Sequence, residues 1–264
     1  MKKRIDILLV NKGLVKSRQR GKIAIKKGLV KVDNEIVKKP SLKVSYDSNI
    51  VLLKPPLSYV GRGGYKLEKA LKEFNINLYN KVAIDIGAST GGFTDCMLKN
   101  RVKKVYAIDV GKDQLAKELK ENSRVVNLEK TNIKNVNSDL IGELADFISI
   151  DVSFISLKIV IPIARKLLKK NGDIVVLIKP QFEAGREYIG KKGIVKEKSI
   201  HKKVLFDTNE FLKEESLVIQ KLDFSPIKGG DGNIEFIAHL KNKNNNYNID
   251  EMINKAINDA YTKL

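Results

Sequence analysis

Apolar residues recur along the first 53 residues in two rhythms. Ile5, Leu8, Leu9 and Leu14 fall close to helical spacing, and Gly13 marks a stop. Ser17 is placed to cap a second helix through SRQRGKIAIKKG, which ends at Gly28. LVKVDNEIVK then alternates apolar with polar, predicting a hairpin that turns at Asp33 and Asn34; SLKVSYDSNIVLL adds more strand. Residues 54–64, KPPLSYVGRGG, hold two prolines and three glycines and predict a linker. The pattern therefore divides the chain into a small α+β domain over 1–53, a linker over 54–64 and a larger domain over 65–264.

From residue 81 the rhythm changes. KVAIDIG, VKKVYAIDVG, DFISIDVSF and GDIVVLIKP are short apolar runs, separated by FTDCMLKN, DQLAKELKEN and SLKIVIPIARKLLKK, which read as helices. This alternation predicts an α/β domain with a mostly parallel sheet covered by helices on both faces. SLVIQKLDF and GNIEFIAHL lie close together across a glycine-rich turn and predict an antiparallel last strand. KNKNNNYN, residues 241–248, reads as a solvated linker. The tail places Ile249, Met252, Ile253, Ala256, Ile257, Ala260 and Leu264 on one helical face, expected to pack back on the domain.

Charge sharpens the division. Residues 1–60 carry 15 Lys and Arg against 4 Asp and Glu, while the rest carries 35 against 27. A basic N-terminal piece beside a milder partner points to a module that grips a polyanion, and nucleic acid is the favoured one. Arg4, Lys16, Arg18, Arg20, Lys22, Lys26 and Lys27 are its candidate RNA contacts. The tract RIDILLVNKGLVKSRQRGKIAIKKGLVKVDNEIVKKPSLKV is similar to a small RNA-binding domain shared by a ribosomal protein, pseudouridine synthases and tyrosyl-tRNA synthetases. The single cysteine, Cys96, makes no internal disulfide and no cysteine-built metal site, which fits a cytoplasmic protein without a metal. No run of about 18 apolar residues is present, so membrane insertion is not expected. The start, MKKRIDILLV, reads as folded protein rather than a cleaved leader.

The loop GASTGGFT fits the triphosphate-binding template G-x-x-x-x-G-K-[ST] except that Phe93 stands where lysine belongs. It also departs from the dinucleotide pattern G-x-G-x-x-G. It follows a strand and opens a helix, the place where open parallel sheets bind ligands. Asp109 lies about 20 residues further on, at the spacing of an acid that receives ribose hydroxyls. A ribose acceptor beside a loop without a phosphate-gripping cation points to a nucleoside without phosphates, and S-adenosylmethionine fits. Its candidate contacts are Asp85, Gly87, Ala88, Ser89, Thr90, Gly91, Gly92, Phe93 and Asp109, with Asp85 expected to approach the amino group directly or through water.

Four polar residues stand where apolar elements end or are interrupted: Lys66, Asp151, Lys179 and Glu235. A lysine at the end of a buried strand is costly to desolvate unless it is paired or working. DIGASTGGFTD, AIDVG, DVSFISL, IKPQFE and GNIEF, with GRGGYKL before the first strand, resemble the TlyA family of ribosomal RNA 2′-O-methyltransferases, related to FtsJ-type enzymes. The resemblance implies a Rossmann-like class I methyltransferase fold, S-adenosylmethionine as cofactor, and cytidine ribose in 16S ribosomal RNA, 23S ribosomal RNA or both, as naked RNA or in the ribosomal subunits, as substrate. It assigns a catalytic tetrad to Lys66, Asp151, Lys179 and Glu235; because in-line methyl transfer must align oxygen, methyl and sulfur and release a proton, Lys179 is the candidate to orient or deprotonate the 2′-hydroxyl. Tyr65, Phe154 and Phe182 are candidates to stack on a base, and 185–198 is a candidate mobile RNA-contacting loop. The competing readings are a non-catalytic RNA-binding protein on this fold, a nicotinamide enzyme, which the missing fingerprint disfavours, and a membrane-active hemolysin, a label the family often carries.

Overall fold

The computed structural model describes residues 2–15, 17–53, 59–191, 193–243 and 248–264, so Lys16 and the segments 54–58 and 244–247 of the two expected linkers lie outside the described residues. The chain divides into two compact units, Met1–Ser58 and Tyr59–Leu264.

In the smaller unit β1 (Lys2–Arg4) runs into α1 (Ile5–Asn11), then α2 (Arg18–Lys26), β2 (Val30–Val32), β3 (Glu35–Ile36), β4 (Lys43–Ser45) and β5 (Ile50–Leu52). Ser17 caps α2 by accepting from the Arg20 amide at 3.3 Å. Asp33 and Asn34 both take positive φ, 48° and 71°, as a tight hairpin turn requires. Ile5, Leu8, Leu9 and Ile25 are fully buried and close the core. Buried among them is Asp6, which accepts from Arg4 Nε and Arg18 Nη2, each at 3.0 Å. Burial works to raise its pKa, but the two guanidinium partners outweigh it and hold the carboxyl below its usual range.

The larger unit opens with α3 (Gly63–Glu73), followed by β6 (Val82–Ile86), α4 (Gly92–Lys99), β7 (Lys104–Ile108), α5 (Lys117–Lys120), β8 (Val125–Leu128), α6 (Ser138–Ile141) and β9 (Ala145–Ile150). Then come α7 (Leu157–Leu167), β10 (Leu168–Ile178), α8 (Pro180–Glu183), α9 (Lys198–Glu214), β11 (Val218–Phe224), β12 (Phe236–Lys241) and α10 (Ile249–Lys263). The strands form one sheet in the order β11-β12-β10-β9-β6-β7-β8. β8, β7, β6, β9 and β10 are parallel, while β12 runs antiparallel between β10 and β11. Alternate residues face opposite layers. Ile84, Ile86, Ile148, Ile150 and Val176 pack on one face with α7, α9 and α10; Ala83, Phe147, Val175 and Leu177 pack on the other with α3 and α4. Burial on both faces is why these strands read as unbroken apolar runs.

Several boundaries differ from the sequence pattern. Residues 59–64, expected as linker, belong to the larger unit: Tyr59 is buried and Gly63 and Gly64 begin α3. The helix expected over DQLAKELKEN shrinks to four residues because the backbone before it is held by Glu129, which accepts from the Gln114 and Leu115 amides at 2.6 and 2.9 Å. α7 stops at Leu167, and Leu168 already pairs with Ala145 of β9. The tail helix packs as expected through Ile253, Ala256, Ile257 and Ala260, although Leu264 is 36% exposed.

Candidate active site

The sheet's order reverses between β6 and β9: from β6 the chain goes outward to β7 and β8, then returns to β9 on the other side. A crevice opens at such a point, beyond the carboxyl ends of the strands. The loop after β6 turns there with Gly87 at φ 84°, Ser89 at 49° and Gly91 at 92°. A Cβ on Gly87 would sit 2.5 Å from the Asp151 carbonyl oxygen, so only glycine lets the two strand ends approach. The amides of Gly87 and Ala88 both donate to Ile108 O, that of Ser89 to Asp109 Oδ2, and that of Gly91 to Ala88 O. A phosphate cradle needs such amides aimed at the ligand; here they are used inside the fold.

Two adjoining cavities flank this loop. One, of about 530 Å³, has apolar walls from Ile108, Val110 and Ile133 and a carboxylate from Asp109. Asp109 accepts from the Ser89 and Gly111 amides at 2.8 and 2.7 Å, which aims it while leaving acceptor capacity on both oxygens. The other, of about 360 Å³, is lined by Lys66, Asp151, Lys179 and Glu235, together with Ala88, Thr90, Gly92 and Phe93. Gly87, Ser89, Asp151, Ser153 and Phe154 border both cavities.

The four polar residues reach one place from four elements. Lys66 lies in α3, Asp151 directly follows β9, and Lys179 follows β10 as the residue before α8. Glu235 does not interrupt a strand, as the sequence pattern had it; it immediately precedes β12. Because β12 is antiparallel, with Phe236 paired to Ile178, its amino end lies at the carboxyl end of β10. Charges alternate through the cluster. Lys66 Nζ is 2.6 Å from Glu235 Oε2 and 3.9 Å from Asp151 Oδ2, and Lys179 Nζ is 2.6 Å from Asp151 Oδ1. Lys179 also donates to Ser153 Oγ at 3.1 Å. Lys66, Lys179 and Glu235 are buried, whereas the Asp151 side chain keeps 19% of its surface exposed.

Asp85 is placed differently from expectation. It is fully buried in β6, accepts from Thr94 Oγ1 at 2.7 Å and Ser149 Oγ at 2.8 Å, and borders neither cavity. The strand alternation turns its side chain toward α4, where Thr94 lies. Burial, with a smaller contribution from the charge of Asp151, pushes its pKa up to about 6 against the pull of the two hydroxyls. Gly91 also borders neither cavity; a Cβ there would overlap Leu119.

Of the aromatic candidates, Tyr65 packs edge-on against Tyr59 at 5.4 Å. Phe154 is 91% exposed and Phe182 lies 5.0 Å from it, both bordering the tetrad cavity. Within the described part of 185–198, Asn233 accepts from the Val195 amide at 3.0 Å and donates to Gly193 O at 2.9 Å. Gln114, Asn132, Ser153, Gln181 and Asp231 border the cavities without having been singled out. Asn132 follows β8, so recognising that strand would have exposed it.

Residues 59–242 match the FtsJ-like methyltransferase family, and residues 3–49 match the S4 domain family. A Bacillus subtilis protein provisionally named the rRNA methyltransferase YqxC is 48% identical over 240 residues, 90% of this chain and 85% of the relative. The Mycobacterium tuberculosis protein named 16S/23S rRNA (cytidine-2′-O)-methyltransferase TlyA is 33% identical over 262 residues, 97% of this chain and 98% of the relative. A solved structure of a Streptococcus thermophilus protein, provisionally named a hemolysin, aligns with a TM-score of 0.79 at 44% identity, covering 99% of this chain and 96% of the other.

Proposed function

The chain belongs to the TlyA family of FtsJ-like methyltransferases, and we propose that it methylates the ribose 2′-hydroxyl of a cytidine in ribosomal RNA. The observation that carries this reading is the alternating Glu235–Lys66–Asp151–Lys179 cluster on the wall of a cavity continuous with the one beside Asp109. The S4 domain and its exposed lysines Lys22, Lys26 and Lys27 support RNA as the partner.

The larger cavity fits S-adenosylmethionine. Asp109 would take the ribose hydroxyls, Ile108, Val110 and Ile133 would cover the adenine, and Gly87 and Ser89 would line the path toward Asp151. When bound, the cofactor would supply an electrophilic methyl group on a sulfonium sulfur: the 2′-oxygen bonds to that carbon, the carbon–sulfur bond breaks to leave a thioether, and the hydroxyl proton is released to solvent water. Lys179 carries three donor positions as an ammonium, and Asp151 and Ser153 engage two. The third would fix the 2′-oxygen in line with the methyl group and steady charge developing on it. Asp151 aims Lys179, and the Lys66–Glu235 pair holds the far side of Asp151. Phe154 and Phe182 stand where the base of an extruded nucleotide would meet them.

The test is incubation of purified protein and radiolabelled S-adenosylmethionine with small and large ribosomal subunits that lack the modification. Label recovered in alkali-resistant dinucleotides, and lost in Lys179→Ala, is the expected result. Absence of label on every RNA despite measurable cofactor binding would overturn the reading in favour of a binding protein that kept the fold.

A further inference from the structure

A third cavity, of about 290 Å³, adjoins the tetrad cavity and shares Phe154, Gln181 and Phe182 with it. Its remaining wall includes Arg186 and Ile189. The two phenylalanine rings, 5.0 Å apart and inclined at 52°, therefore stand between two concavities. Resting on the methyl-transfer reading, we propose that this third cavity holds the nucleotide next to the methylated one, its base against the outer side of the Phe154–Phe182 pair and its phosphate near Arg186.

Three observations carry this. First, Phe154 is held where it is. It has φ 64°, a region that a bulky residue rarely occupies, and is 91% exposed. Glu183 fastens the end of its loop, accepting from Ser156 Oγ at 2.7 Å and the Leu157 amide at 2.9 Å, while Lys179 donates to Ser153 on the other side. A large apolar ring kept in solvent by a tied and strained loop is placed for a ligand that covers it, and every base offers a π-face. Second, Gly185 at φ 90° turns the chain into the short turn that begins with Arg186; a Cβ there would come within 2.8 Å of Glu187 Oε1. Arg186 is exposed and pairs with no carboxylate among the described residues, although Glu187 is its neighbour in sequence. Third, the occupant follows from continuity. A nucleotide entering the tetrad cavity brings its covalent neighbours with it, and a cavity that shares an aromatic wall with the target cavity receives one of them.

The experiment compares wild type, Arg186→Gln and Ile189→Trp, the last filling the cavity, in methyl transfer to unmodified ribosomal subunits. Cofactor affinity is measured alongside to show that each variant is folded. Loss of one stacked base or one phosphate contact is expected to raise KM for RNA about tenfold, with KM changing more than kcat. Arg186→Gln alone should also lower the slope of log affinity against log salt by roughly 0.7–0.9. Unchanged KM and salt slope in both variants would overturn the proposal. So would a collapse of kcat in Ile189→Trp that outweighs the KM change, since the cavity would then hold the target base itself. If Ile189→Trp does not fold, Arg186→Gln decides alone. A wild-type protein that labels no RNA brings down the methyl-transfer reading together with this one, and that failure shows in the wild-type arm, apart from the variants.

Discussion

Replacing Asp85 by asparagine removes a charge from beneath the glycine loop while keeping the side chain's size. In the wild type this carboxyl is fully buried, and burial pushes its pKa up to about 6 from its ordinary value near 3.8. Between those two values the folded protein holds a proton that the unfolded chain has released. The stability linked to that proton is fully present below about pH 3.8 and lost as pH rises through about 6. Integrated from about pH 4.5 to 7.5, the loss is about 2 kcal/mol at about 1.36 kcal/mol per pH unit. The asparagine side chain does not titrate, so the difference between variant and wild type should move by that amount across the range, in favour of the variant as pH rises. Carboxylates that do not interact with Asp85 titrate equally in both proteins and cancel, and Asp151, whose charge acts on Asp85, adds only a smaller difference. The assay is urea unfolding of both proteins, followed by circular dichroism at several pH values, taking the transition of the larger unit. Cofactor affinity at the upper end of that range provides a second reading. Because Asp85 borders neither cavity, the variant should bind S-adenosylmethionine within a few-fold of wild type, provided Thr94 and Ser149 still find partners in the amide. A stability difference that stays flat across the range would refute the burial argument, and loss of cofactor binding with stability intact would restore Asp85 as a ligand contact.

The remaining expectations concern the tetrad and its supports. Lys66→Met strands Glu235, whose burial is nearly complete, and should destabilise the larger unit by about 3–5 kcal/mol as well as abolish methyl transfer. Lys179→Met leaves Asp151 partly exposed and still near Lys66, so it should lower the rate by about 100-fold or more while moving the urea midpoint less. Glu183→Ala removes two hydrogen bonds from the loop that presents Phe154; a loss of about 1–3 kcal/mol in stability is expected, with KM for RNA raised and cofactor affinity retained, as equilibrium binding would show. Changing Lys22, Lys26 and Lys27 together to glutamine should flatten the salt dependence of rRNA binding by roughly 2–3 in slope, without changing the affinity for S-adenosylmethionine.

The central strands were legible because both faces of the sheet are covered, which writes them as apolar runs ending in polar residues. Asp151 and Lys179 stood out for that reason. α3 opens with two glycines and no capping side chain, so nothing in GGYKLEKALKE announced a start. β8 is a four-residue edge strand, and α9 buries a narrow stripe, including His201, Val204, Leu205 and Leu212, amid many charges. Buried polar partnerships were less legible still. Asp6 with Arg18, Asp85 with Ser149, and Glu183 with Ser156 join residues 12, 64 and 27 positions apart, and no local spacing marks them. Arg4 and Arg18, chosen from composition as RNA contacts, turn out to neutralise Asp6; their charge serves the fold as well as any phosphate.

These hidden partnerships share a purpose that stability alone does not explain. Each reactive or ligand-facing loop of the larger unit is fastened by an acid or amide from a different segment. Glu129 holds the backbone at Gln114 and Leu115 beside the larger cavity, and its hydrogen bonds to Asn127, Lys120 and those amides pull its pKa down to about 2. Glu183 holds the loop of Ser153 and Phe154, and Asn233 joins the 193–195 segment to the turn that leads into Glu235. A buried polar group such as Asn233 makes little net contribution when paired and is destabilising when orphaned, so a tie of this kind penalises displaced arrangements more than it deepens the native one. That is the property an in-line displacement requires. The rate depends on oxygen, carbon and sulfur being aligned, and a misplacement of about 1 Å is enough to lose a factor of about 100. The parallel sheet supplies the rigid strand ends, and these ties carry that rigidity across the loops to Lys179, Phe154 and Asp109, where the sheet itself no longer reaches.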